Sequence, residues 1–131
     1  MNFRTVASAN GVVSAVFGAA ALAVPAVLTS LYGVDLTDRE AWLVRLLGAS
    51  YLGFGILVWA ARGVTDAAAR AAIAAGAVAG WGLSLPVAVA GQLAGHANAL
   101  GWTNAALQVA FVLAWAFVLL EARRGSARAT V

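Results

Sequence analysis

Arg45, Gln92, Asn104 and Gln108, with His96 close by in sequence, are the residues whose types and spacing suit chemistry here, and that chemistry is the holding of an anion. An arginine fork binds carboxylate or phosphate through paired charge-assisted hydrogen bonds. Asn104 and Gln108 stand one helical turn apart and would present two amides on one face, with Gln92 and Asn98 at a similar depth. Bond-making chemistry has no such support. Cys is absent, His occurs once, and no acid lies inside the apolar runs. A metal set, an acid–base pair and an activated nucleophile all lack members. The chain is therefore expected to be no enzyme, and to carry neither metal nor cofactor.

The elements that must position these residues are membrane helices. Ala71 to Leu120 contains no Asp, Glu, Lys or Arg, and neither does Thr5 to Val34. About twenty apolar residues cross a bilayer core, so these runs hold two crossings and one. Charged residues make up 10% of the chain, against about 25% in soluble domains, and the mean hydropathy is +0.91. The expected fold is an all-α membrane protein: a single four-helix up-down bundle spanning 1–131, with crossings near 6–31, 38–61, 67–93 and 99–121 and a tail over 122–131. Arg4 and Ala21-Leu22-Ala23 imitate a signal peptide, but the apolar run continues to Leu31, too far for one. Thr37-Asp38-Arg39-Glu40 reads as a capping box opening the second span. Thr65 is expected to cap the third, and Asp66 to pair with Arg62 and Arg70.

Arginines set the orientation. Arg4, Arg62, Arg70, Arg123, Arg124 and Arg128 fall on one side, Arg39 and Arg45 on the other. The positive-inside rule then puts both termini in the cytoplasm of a cell whose plasma (inner) membrane the chain crosses. Basic residues gathered at span ends serve this purpose, so nucleic acid is not an expected partner; the lipid bilayer is. An offset of 61 residues superposes Pro25 on Pro86 and Ala61-Arg62 on Ala122-Arg123, as two parallel two-helix repeats would.

Small residues mark the packing faces. Gly76 and Gly80, and Gly91 and Gly95, have the GxxxG spacing that lets helix backbones approach in lipid. They are expected to pack within the bundle, with a homodimer face as the alternative. Gly48 and Gly55 share the face of Arg45. Arg45 lies about 10 Å along its helix and has two readings: it snorkels outward to Asp35, Asp38 or Glu40, or it faces inward and holds an anion beside Gln92, Asn104 and Gln108. Asn10 and Ser14 read as a packing pair.

Leu31-Tyr32-Gly33 after a Pro-bearing span, Arg45-Leu46-Leu47-Gly48-Ala49 leading to Gly53-Phe54-Gly55, and Asn98-Ala99-Leu100-Gly101-Trp102-Thr103-Asn104 resemble a group of small bacterial four-span proteins known as domains of unknown function. That resemblance implies a four-helix membrane fold and brings no activity. The expected role is action by association, as a homo-oligomer or as an accessory or scaffold subunit of a larger membrane complex. The alternative is a carrier, channel or binding protein for a small anionic or amphiphilic molecule at the polar cup around Arg45.

Overall fold

A computed structural model describes the backbone of residues 2–129 and the side chains of residues 2–124. The described residues form five helices: α1 (Phe3–Ala23), α2 (Pro25–Ser30), α3 (Asp38–Ala61), α4 (Ala67–Leu93) and α5 (Gly101–Ala129). Four of them, α1, α3, α4 and α5 through Arg124, are long and apolar enough to cross a membrane. They pack as the expected four-helix bundle.

The helix ends follow from local chemistry. Asn2 caps α1 through Thr5 N–H, 2.9 Å away. Thr37 and Glu40 close the capping box: the Thr37 N–H donates to Glu40 Oε2 at 2.7 Å and the Thr37 hydroxyl accepts from Glu40 N–H at 3.4 Å. At α4 the cap is Asp66, whose Oδ1 accepts from Ala69 N–H at 2.7 Å, and not Thr65. The expected ion pairs of Asp66 do not form. Arg62 donates to Trp59 O and lies 4.1 Å above that indole ring, while Arg70 donates to Val64 O and faces the Phe3 ring at 5.4 Å. Carbonyls close along the chain and the aromatic faces of Trp59 and Phe3 hold these guanidinium groups at less entropic cost than a flexible ion pair in high dielectric.

Two boundaries differ from expectation. The first span is not one helix to Leu31: Val24 leaves helical geometry (φ −133°, ψ 57°) and Pro25 opens α2. Proline has no N–H for the ladder and its ring crowds the preceding turn. Pro86, by contrast, stays inside α4. At the other end α5 continues to Ala129, so most of the expected tail extends the helix; residues 130 and 131 lie outside the described residues.

Packing divides the bundle into two hairpins, α1 with α3 and α4 with α5, joined by lighter contacts between α1 and α5. The first hairpin is held by glycines seven apart. A Cβ on Gly18 would sit 2.7 Å from Gly48 O, one on Gly48 would sit 2.6 Å from Leu22 N, and one on Gly55 would sit 2.5 Å from Ala15 N. Gly11 lies against Trp59 in the same way. A seven-residue repeat keeps one seam of an antiparallel pair in register, so both backbones meet along the seam. Gly48 and Gly55 thus pack as the sequence implied. Gly76 and Gly80 do not: a Cβ on either meets nothing within 4 Å. Gly91 and Gly95 likewise have no close backbone neighbour among the described residues. A Cβ on Gly91 would approach only His96 Nδ1, at 3.8 Å, and Gly95 has φ +75°, a left-handed helix stop matching that of Gly33 (φ +73°).

An aromatic row crosses the bundle between the hairpins. Phe17 of α1 meets Tyr51 of α3 at 5.7 Å, Tyr51 meets Trp81 of α4 at 6.1 Å, and Trp81 stacks on Phe111 of α5 at 5.1 Å. Outside the row, Phe3 contacts the buried Trp115 edge-on at 5.8 Å. Side chains of this size fill the space that the backbones leave open.

Candidate functional site

Two features of the bundle stand out, a fully buried amide on α1 and a mostly apolar cleft open at the surface between α3 and α4. The first is Asn10. It is fully buried on α1, and its Oδ1 accepts from Trp81 Nε1 at 3.0 Å and from Trp115 Nε1 at 2.7 Å. Its Nδ2 donates to Ser14 Oγ at 2.8 Å. One amide thereby braces α1, α4 and α5, and both indole N–H groups are satisfied in a region without water. Asn10 and Ser14 are more than a packing pair; they bridge the two hairpins. Trp81 and Trp115 are 71 and 105 positions away from Asn10, so helical periodicity around residue 10 carries no sign of them.

The second feature is a cleft between α3 and α4, which make no extensive contact with one another. It encloses about 210 Å³ and is lined by Leu47, Ser50, Tyr51 and Phe54 from α3 and Gly80, Trp81 and Ser84 from α4. The α3 members fall at i, i+3, i+4 and i+7, one face of the helix. Ser50 Oγ donates to Leu46 O at 3.1 Å. Ser84 Oγ lies 3.0 Å from Trp81 O and 3.1 Å from Gln108 Oε1, so its single proton is shared between two carbonyl oxygens. Tyr51 Oη makes no hydrogen bond among the described residues. No ionisable group other than this phenol lines the cleft. Such walls can hold an uncharged molecule and supply no acid, base or electrophile beyond hydroxyls.

The residues expected to form an anion site are not brought together. Arg45 is exposed on α3 and has neither hydrogen bond nor ion pair among the described residues. Its expected acidic partner Glu40 is committed to the Thr37 cap. Gln92 Nε2 donates to the loop carbonyls of Asn98 at 2.8 Å and Ala97 at 3.4 Å. Asn104 is half-buried without a hydrogen bond among the described residues. Only Gln108 is buried, and it faces Ser84. No hydrogen bond joins any two of Arg45, Gln92, Asn104 and Gln108, and none of them lines the cleft. Arg45 and Tyr51 point in different directions from α3: the six residues between them are about 1.7 turns, which leaves them about 240° apart around the helix.

Asn98 instead stitches the hairpins at one end of the bundle. Its backbone N–H donates to Tyr32 O at 2.8 Å and its Nδ2 donates to Leu31 O at 3.0 Å. Thus Leu31-Tyr32-Gly33 and Asn98-Ala99-Leu100, separate in sequence, form a single contact.

No family model, curated protein or solved structure matches this chain. The class that fold and interior define is a multi-pass helical membrane protein built from two hairpins, with a neutral cleft between them.

Proposed function

We propose that this protein acts by association within the membrane, through the exposed small-residue run of α4. The observation that carries this is that, among the described residues, a Cβ on Gly76 or Gly80 has no neighbour within 4 Å. Packing inside the bundle was the other explanation for their spacing, and the geometry gives it no support. Glycine within a helix costs about 1 kcal/mol relative to alanine, so two of them on an unpacked face call for compensation. Ala68 and Ala72 continue the run, and both are exposed.

The partner is a second copy. All copies insert with the same orientation, so their α4 helices meet parallel about a twofold axis along the membrane normal, and one small-residue run is complementary to itself. A scaffold or accessory role in a larger complex would build on that dimer. On the arginine partition, the setting is a plasma (inner) membrane with both termini cytoplasmic.

Because the sequence contains no cysteine, single-cysteine cross-linking reads this face directly. Ala72→Cys should cross-link between copies in the membrane, while Leu113→Cys, on the exposed side of α5, should not. Gly76→Ile with Gly80→Ile should abolish the cross-link and leave helical content intact. Equal cross-linking from both cysteines, or no response to the glycine substitutions, would overturn the dimer.

A further inference from the structure

We infer that the α3–α4 cleft is a binding site for the ring of an uncharged, carbonyl-bearing membrane amphiphile of the quinone type, with Tyr51 as its hydrogen-bond donor. Depth is the first argument. Tyr51 lies thirteen positions into α3, about 20 Å along a helix of about 36 Å, and Trp81 is similarly central in α4. The cleft is therefore at mid-bilayer, below the reach of phospholipid headgroups. Its walls carry no charge, which excludes ionic ligands at that depth.

The second argument is the Tyr51 hydroxyl. Tyr51 lines the cleft, its hydroxyl has no partner among the described residues, and at mid-bilayer depth no water is present to satisfy it. An unmatched hydroxyl in hydrocarbon is costly. A ligand oxygen in the cleft removes that cost. The other lining hydroxyls, Ser50 and Ser84, already donate to protein oxygens, so the site offers one free donor and selects a ligand by a single acceptor.

Shape supplies the third. Phe54, Tyr51 and Trp81 give the cleft flat aromatic surfaces, against which a planar ring stacks at low entropic cost. A cavity of about 150 Å³ with apolar walls accepts benzene; about 210 Å³ accommodates a six-membered ring with small substituents. The cleft is open on one side, toward the lipid, where an attached chain would continue.

The test uses the full chain in detergent micelles and a decyl-substituted benzoquinone, with tryptophan fluorescence as readout, since Trp81 forms one wall. Quenching should saturate at one quinone per chain. Tyr51→Phe, which deletes only the hydroxyl, should weaken binding about three- to tenfold. Ser50→Phe, which obstructs the mouth from α3 and leaves every residue of α4 unchanged, should leave only linear, non-saturating quenching. Dodecane, which has a chain but no acceptor, should not compete. Thermal unfolding of each variant must stay near that of the parent for the comparison to count, and Ser50→Leu serves if Ser50→Phe unfolds. Non-saturating quenching in the parent chain would overturn the site. Saturable binding that Tyr51→Phe leaves unchanged would overturn the assignment of Tyr51 and of a carbonyl-bearing ligand.

Discussion

At the scale of single residues, stability concentrates in Asn10. Replacing it with Leu keeps the branched shape and heavy-atom count but leaves two buried indole N–H groups, those of Trp81 and Trp115, without an acceptor. Hydrogen bonds between membrane helices average about 0.6 kcal/mol, but each orphaned buried donor costs about 1–3 kcal/mol. Asn10→Leu should therefore lower stability by about 2 kcal/mol or more, read from equilibrium unfolding in mixed micelles. Ser14→Ala orphans a single donor, Asn10 Nδ2, and should cost about 1 kcal/mol. An Asn10→Leu protein as stable as its parent would show that the brace is dispensable. Sequence reasoning undervalued Asn10 and overvalued Arg45 for the same reason. Charge and rarity mark a residue in a sequence, whereas the partners that give a polar group its weight lie on other helices. Gln108 was singled out for an anion and instead serves Ser84.

Among the elements, the spans themselves were legible. The boundaries 38–61 and 67–93 agree with α3 and α4, because apolar length and capping residues are local properties. Faces were less legible. GxxxG spacing drew attention to α4, while the close backbone approach in the bundle uses Gly11 and Gly18 against Gly48 and Gly55; spacing reveals a small face but not which helix covers it. Two glycines of α3 separate these cases within one helix. A Cβ on Gly48 would press on the backbone of Ala21 and Leu22, whereas one on the exposed Gly53 meets nothing within 4 Å. Backbone cannot rotate away, so Gly48→Ala should destabilise the hairpin by about 1–3 kcal/mol. Gly53→Ala, with only helix propensity at stake, should stabilise it by about 0.5–1 kcal/mol. Thermal or denaturant unfolding of the pair decides this, and equal shifts would mean that α1 and α3 are not in backbone contact.

The whole molecule is organised by its two ends. At one, Asn98 ties the α4–α5 loop to Leu31 and Tyr32, so the two connections that follow α2 and α4 share a face. At the other, Arg70 of α4 faces Phe3 near the start of α1, which sets the chain's beginning beside the α3–α4 turn. The hairpin pairing and the matched left-handed stops at Gly33 and Gly95 agree with a repeat near 61 residues, although Pro25 interrupts its helix and Pro86 does not. The end holding Arg4, Arg62, Arg70, Arg123 and Arg124 outweighs the one with Arg39 and Arg45. Short loops insert by this imbalance, and the α3–α4 turn, from Arg62 to Asp66, is too short to act as an independently translocated domain. Reporters fused after Val131 and within the His96 loop should thus report opposite compartments, the first cytoplasmic. Substituting Arg62 and Arg70 with Glu should weaken that preference, since it removes two of the basic charges that distinguish this end from the other. Two reporters in the same compartment would mean that α5 does not cross, and an inverted pair would mean that the arginines do not set the orientation.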